Sequence, residues 1–277
     1  MHHVVSISGG SASAVAADLV INAYGKENVT LYFCDTRWED PDLYRFLESL
    51  EEYWDMTITR YVDGRNPLEV AEDRQLIPNS FAAPCSHILK QIPFRKYIRK
   101  LPKPVTVHLG LDDTEPHRHG KPREIYEAIP GVTVDYPLTW KPLVGTGEGL
   151  VFKYTRIVEN WGVKPPHLYS LGFSHNNCGG RCVRAGVGEW LRLATYYPDR
   201  YAEVEQWELD QQAIGGARAN RTILKEQQNG ELAPVTLKAL RERNESPQIA
   251  MFQTIGDSYS CFCDEYTNDI EGEDDDH

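Results

Sequence analysis

Residues 4–21 constrain the fold more than any other stretch of this chain. Val4, Val5 and Ile7 read as a short buried strand, and Ala14, Val15, Ala17, Leu19, Val20 and Ile21 as the apolar side of a helix. Between them runs Ser8-Gly9-Gly10-Ser11-Ala12-Ser13. A strand that turns through glycines into a helix aims several backbone N–H groups at one spot, where the helix end adds partial positive charge. Glycine lets the backbone approach a bulky anion, and serine hydroxyls add donors. That is the chemistry of a phosphate cradle. It is not a Walker loop, because no Gly-Lys-Ser/Thr follows at the required spacing. The competing reading is a plain helix capped by a serine.

The same strand-then-helix alternation continues. Val29–Phe33 reads as a second buried strand, ending in Cys34-Asp35-Thr36-Arg37-Trp38-Glu39-Asp40. Open α/β sheets place ligands just beyond the C-terminal ends of their strands. Asp35 there suits a ribose hydroxyl or a magnesium ion, or a cap for the next helix, which Pro41, Leu43, Phe46, Leu47 and Leu50 mark. Met56–Val62, Val105–Gly110 and Val132–Trp140 give three more strands with their exits. The alternation predicts an α/β, Rossmann-like parallel sheet with helices on both faces. Helices are expected at Pro84–Lys90, capped by Ser86, and at 150–161, 189–197, 201–211 and around Leu237 and Leu240.

At 277 residues the chain suits one large domain with an appendage. We expect a nucleotide-binding domain over 1–165, a cysteine-bearing, mainly helical region over 166–263, and a disordered tail over 264–277. The tail carries eight of the acids, and without them the formal charge of −12 falls to −4. Lys90 to Arg123 goes the other way, with nine Lys/Arg against Asp112, Asp113 and Glu115. That stretch is either a solvated basic face or a patch for a nucleotide or polyanion. Lys90, Glu115 and Arg118 are its candidate substrate contacts, although Glu115 and Arg118 also suit a mutual pair. No window is apolar enough to span a membrane and no signal-peptide layout opens the chain, so a cytoplasmic location is expected.

In a reducing compartment, clustered thiols point to metal or redox chemistry. Cys178-Gly-Gly-Arg-Cys182 can aim two sulfurs at one centre, because its glycines permit a tight turn. Cys85 opens a helix, where a thiolate is favoured. Cys261-Phe-Cys263 offers further sulfur, with Cys263 the chosen fourth ligand and Cys261 its alternative. Cys34, at a strand end, is expected to be buried and inert.

Taken in order, these pieces resemble the phosphoadenosine phosphosulfate (PAPS) reductase family of the PP-loop ATP pyrophosphatase, or adenine nucleotide α-hydrolase, superfamily. The matching residues are Ser8–Ser13, Phe33–Glu39 with Tyr44–Phe46, Cys85–Lys90 and Gly110–Glu115. They continue through Tyr136–Trp140, Pro166–Tyr169, and Gly172-Phe173 to Cys178 and Cys182. The Asn-Cys-Gly-Gly-Arg-Cys form looks most like reductase-like proteins of phages and bacteria.

The resemblance implies that Ser8, Gly9, Gly10, Ser11 and Ser13 hold the phosphates of ATP or a related adenine nucleotide with Mg²⁺. Asp35, Thr36 and Gly110 would lie around the nucleoside. It also implies a four-iron, four-sulfur cluster on cysteines placed like Cys85, Cys178 and Cys182, with zinc the other occupant that four thiolates suit. Implied partners are a nucleic-acid or nucleotide acceptor and a cysteine desulfurase or thiol donor. Two departures refine this. Ala12 stands where the pyrophosphatases carry Asp, and the C-terminal Glu-Cys-Gly-Leu-His of true PAPS reductases is missing. The expectation is therefore an ATP-dependent, adenylating sulfurtransferase. A sulfonucleotide reductase and a non-catalytic nucleotide-binding protein with a structural metal site are the alternatives.

Overall fold

A computed structural model describes residues 1–114, 116–140, 150–228 and 231–245. In chain order the elements are β1 (His2–Ile7), α1 (Ser11–Tyr24), β2 (Val29–Asp35), α2 (Pro41–Trp54), β3 (Ile58–Val62) and α3 (Pro67–Asp73). Next come α4 (Pro84–Ser86), a π-helical turn (His87–Gln91), α5 (Ile92–Lys100), β4 (Val105–His108), α6 (Gly120–Glu127) and β5 (Val132–Asp135). The chain continues with α7 (Leu150–Asn160), α8 (Val187–Tyr196), α9 (Pro198–Ile214), β6 (Leu224–Gln228), β7 (Glu231–Val235) and α10 (Leu237–Glu245).

Contacts divide the chain into two units, one of residues 1–65 and 88–179, the other of 66–87 and 180 onward. The first holds the five-stranded sheet, in the order β3-β2-β1-β4-β5, with every neighbouring pair parallel. The chain builds outward from β1 in one direction through β2 and β3, then returns to add β4 and β5 on the other side. The switch falls between β1 and β4, and ligands bind outside the strand ends at such a switch.

Alternation along the strands sorts the two faces. Val5, Ile7, Leu31 and Phe33 enter one apolar core with Leu43, Phe46, Leu47 and Leu50 of α2 and Tyr154 and Val158 of α7. Helix α1 fills the centre of that face with Ala14, Val15, Ala16, Ala17 and Val20, small enough for close helix–sheet approach. On the other face Tyr32 meets Phe94 and Tyr97 of α5, at ring separations of 5.2 and 4.5 Å.

Several starts and stops have local causes. Asp40 caps α2 by accepting from the Asp42 N–H at 2.8 Å, with Pro41 in the first turn. Two expected serine caps are absent. Gly10, not a serine, occupies the cap position of α1. Helix α4 begins at Pro84, with Ala83 before it, so Ser86 lies inside the helical run and caps nothing.

The second unit is mainly helical. Glu208 of α9 is buried and accepts from the N–H groups of Ile223 and Leu237 at 2.8 and 2.7 Å, tying the chain on either side of the β6–β7 hairpin to that helix. That antiparallel hairpin is unexpected from the sequence. Its strands Leu-Lys-Glu-Gln-Gln and Glu-Leu-Ala-Pro-Val carry few β-branched residues. No helix among the described residues is long and apolar enough to cross a membrane.

Candidate functional site

The β1–α1 loop sits at the switch in strand order. Gly9 turns with φ +83°, and a Cβ there would lie 2.5 Å from Leu43 Cδ1. At Gly10 a Cβ would stand 2.7 Å from the Tyr169 hydroxyl, and at Gly110, just past β4, 3.1 Å from Ser13 Cα. Glycine is therefore required where the ends of β1 and β4 and the start of α1 meet.

The loop serines divide by role. Ser13 Oγ donates to the Gly10 carbonyl at 2.9 Å and accepts from the Ser8 N–H and the Ser8 hydroxyl, both at 3.1 Å. Ser8 and Ser13 thus knit the loop to itself. Ser11 N–H reaches the Tyr169 hydroxyl at 3.4 Å, and the buried Ser11 side chain bonds to the same hydroxyl. Burial pushes the Tyr169 hydroxyl up to about 12, so it stays protonated.

Beyond β2, Asp35 does not cap α2. Its Oδ1 accepts from the Arg37 N–H at 2.7 Å and the Tyr44 hydroxyl at 2.8 Å. Thr36 donates its hydroxyl to Glu39 Oε1 at 2.9 Å. The other oxygen of Glu39 accepts from the Cys178 N–H at 2.6 Å, and Lys90 Nζ lies 3.8 Å from Oε1. The Glu39 carboxylate is fully buried, so it is held by these donors. Cys34 is buried as expected. Its thiol donates to the Lys90 carbonyl at 3.5 Å and is pushed up to about 12 by desolvation. Arg118 is buried beyond β4. Glu115 lies outside the described residues.

A third segment closes on the loop. Arg45 donates to the carbonyls of Lys164 and Pro165 at 3.1 and 3.2 Å, and Asp42 accepts from the His167 N–H at 2.8 Å. Arg45, donating to Asp42, holds that carboxyl down at about 2. These contacts fix the approach to Tyr169. Further on, Asn176 Nδ2 donates to the Gly9 carbonyl at 3.2 Å, while its Oδ1 has no partner. His175 is buried, and neither ring nitrogen has a hydrogen-bond partner among the described residues. Desolvation, helped by the Lys90 charge, holds its pKa down at about 4, so the ring is neutral.

Asn176 Oδ1 and both His175 nitrogens are buried polar atoms without hydrogen-bond partners among the described residues. Leaving such atoms unsatisfied costs about 1–3 kcal/mol each. Glu39, Tyr169, His175 and Asn176 all lie in stretches the sequence picks out, yet only the structure gives them roles. For His175 and Asn176 the signal available was the density of polar residues around Gly172–Cys182.

The cysteines fall in two units. Cys178 belongs to the sheet unit, and Cys85 and Cys182 to the other. Cys178 and Cys182 are buried and Cys85 is partly exposed. Among the described residues no group of three or more His, Cys, Asp or Glu side chains is placed to hold a metal ion. Cys261 and Cys263 lie outside the described residues.

With this geometry in place, the family follows from comparison with known proteins. The model of the phosphoadenosine phosphosulfate reductase domain matches residues 2–260. The chain belongs to the phosphoadenosine phosphosulfate reductase domain family. Among solved structures it is similar to a phosphoadenylyl-sulfate (PAPS) reductase from Candida auris in a phosphate complex. The identity is 17%, over 62% of this chain and 79% of that one, with a TM-score of 0.43. No curated protein matches.

Proposed function

We propose that this PAPS reductase-family protein binds an adenine nucleotide with its phosphates on the 8–13 loop, and that it works as an ATP-dependent, adenylating sulfurtransferase. The observation that carries nucleotide binding is the tight Gly9-Gly10 turn that opens α1, where an added side chain has no room, beside the sheet's switch point. Helix-end N–H groups would hold the phosphates, Asp35 would take the ribose or a magnesium ion, and Lys90 would add positive charge. In the reaction an oxygen of the acceptor, its proton if it carries one passing to water, attacks the α-phosphorus of ATP. The P–O bond to pyrophosphate breaks, and loop donors stabilise the charge on the departing group. A hydrosulfide ion, released from a donor persulfide by a thiol reductant that becomes a disulfide, then attacks the activated carbon. A C–S bond forms, the C–O bond breaks, and AMP leaves.

Sulfonucleotide reduction by an external thiol is the second reading, favoured by the family itself. What supports transfer over reduction is the sequence, which lacks Glu-Cys-Gly-Leu-His near its end. Two measurements on the full chain decide. Equilibrium binding of ATP should weaken about tenfold in Ser11→Ala, on the scale of one hydrogen bond to a charged group. Unchanged affinity would remove the loop from the site. Sulfite release from a sulfonucleotide in the presence of a dithiol would replace transfer by reduction.

A further inference from the structure

We propose that Tyr44 positions Asp35 for a ribose hydroxyl: Tyr44 and the Arg37 N–H occupy one carboxylate oxygen of Asp35 and leave the other to accept from the nucleotide's sugar. The inference rests on the nucleotide-binding reading above. It decides between the two occupants, ribose and magnesium, that Asp35 suits.

Asp35 ends β2, whose parallel register with β1 pairs Phe33 with Ile7. Two residues past Phe33, Asp35 therefore stands one strand over from the start of the 8–13 loop. Side chains alternate along a strand, so Asp35 shares the face of Leu31 and Phe33, which α1 and α2 cover. Asp35 Oδ1 accepts twice, from the Arg37 N–H at 2.7 Å and from the Tyr44 hydroxyl at 2.8 Å. Among the described residues no group donates to Oδ2. The first of the two donors comes from a strained turn. Arg37 takes φ 55°, a left-handed position that costs a non-glycine residue about 1–2 kcal/mol. Its guanidinium fastens that turn to the Gly64 carbonyl at 3.0 Å. Two separate elements, the turn after β2 and helix α2, thus fix the same oxygen.

The chemistry of the pair points to the sugar. Desolvation and the bond to Asp35 push the Tyr44 hydroxyl above its ordinary range, so it stays protonated and donates. A carboxylate carries about two lone pairs on each oxygen. With both of those on Oδ1 taken, Oδ2 is the oxygen left to accept. The two donors also draw charge from the carboxylate, which weakens it as a ligand for a divalent cation. A hydroxyl asks only for one well-placed lone pair. Ribose supplies that hydroxyl and deoxyribose does not. A site built to receive a hydrogen bond rejects the analogue that cannot donate it, because its own polar atom is left unpaired. Tyr44 acts through Asp35 and is a positioning residue. Without its hydroxyl the carboxylate turns more freely about its last torsion, which is broad.

The test is equilibrium binding of ATP, 2′-deoxy-ATP and 3′-deoxy-ATP to the full-length protein, in EDTA and again with Mg²⁺. Wild type should bind ATP about tenfold tighter than at least one deoxy analogue, with or without the metal. Tyr44→Phe should bring that ratio within about threefold, and Asp35→Ala should abolish it. A merely structural loss in Tyr44→Phe would weaken all three nucleotides by one factor and keep the ratio, which overturns the role of Tyr44. Asp35→Ala keeps the test open if Tyr44→Phe fails to fold. An Asp35→Ala protein that loses affinity only when Mg²⁺ is present, and for all three nucleotides alike, makes Asp35 a metal ligand and overturns the inference. If wild type binds the three nucleotides equally, the inference alone fails. If it binds none of them, the nucleotide reading fails with it.

Discussion

Two glycine-bearing turns, 8–13 and 176–180, face the same demand in different ways. Each must bring a tight backbone against its neighbours. In the first, one residue in the left-handed region, Gly9, makes the turn, and the loop's own Ser8 and Ser13 hold it. In the second, three successive residues, Cys178, Gly179 and Gly180, have positive φ (56°, 57° and 83°), one of them not glycine. The residues around it reach across the sheet unit. They are pinned by distant side chains, Glu39 on the Cys178 N–H and Asn176 on the Gly9 carbonyl. A left-handed non-glycine residue costs about 1–2 kcal/mol and persists only when its surroundings impose it. The first turn is a property of its sequence, and the second is a property of its contacts.

The largest expected effect breaks the first turn. In Gly9→Val the side chain must occupy a left-handed position and displace Leu43 from 2.5 Å. Strain and overpacking together should cost about 2–5 kcal/mol. Thermal melting should fall by roughly 10 °C, with nucleotide affinity lost as well. A variant that melts like wild type would mean that the loop is not held as described.

The next effect probes the sheet beneath that turn. His108, at the end of β4, is fully buried against His3, 3.0 Å away, with the Asp135 carboxylate at 3.8 Å. Desolvation lowers its pKa to about 4, the Asp135 charge opposing and His3 adding to the shift. A histidine whose folded pKa lies below its unfolded value near 6.5 favours the unfolded state on protonation. Its stabilising effect is complete above pH 6.5 and is lost as pH falls toward 4, to a total of about 3 kcal/mol. Denaturant titrations at pH 7 and pH 4.5 should show the drop in wild type and a smaller one in His108→Gln. Equal slopes with pH in both would clear His108 of the role.

Glu39→Ala tests the second turn and should cost about 2 kcal/mol, since it strands the Cys178 N–H and the Thr36 hydroxyl in a buried place. Glu39→Gln keeps an acceptor and should cost about half as much. Hydrogen exchange at the Cys178 amide should speed up in Glu39→Ala while the Ser13 amide of the first turn stays protected. Acceleration at both would show the two turns to be one cooperative unit, and the contrast between them would fall.

The same contrast explains what was legible in the sequence. The parallel sheet was readable because its strands are buried runs and its helices carry period-matched apolar residues such as Leu43, Phe46, Leu47 and Leu50. The loop glycines were readable because a strand–Gly-Gly–helix layout has few other uses. The division of labour among Ser8, Ser11 and Ser13 was not, since it depends on which hydroxyl faces a neighbour. Nor were Asn176 and His175, whose roles come from a carbonyl 167 positions away and a lysine on another element. Hairpin β6–β7 was missed because its polar strands take their conformation from Glu208, which anchors the backbone on either side.

The smallest effect concerns Cys34, the cysteine of the sheet, set against those of the second turn and its neighbours. Cys34 sits in β2 with its thiol on the Lys90 carbonyl at 3.5 Å. The buried surroundings that push its pKa up to about 12 leave only about one molecule in 10⁵ as thiolate at pH 7, and the thiolate is the reactive form. Cys34→Ala removes one buried sulfur and one weak hydrogen bond, which should cost about 1 kcal/mol and leave nucleotide affinity unchanged. In the folded protein iodoacetamide should spare Cys34 at pH 7 while alkylating the partly exposed Cys85, as peptide mapping would show. Modification of Cys34 at a rate like that of Cys85 would mean that the end of β2 opens readily. The sheet side of the comparison would then be no more rigid than the turn.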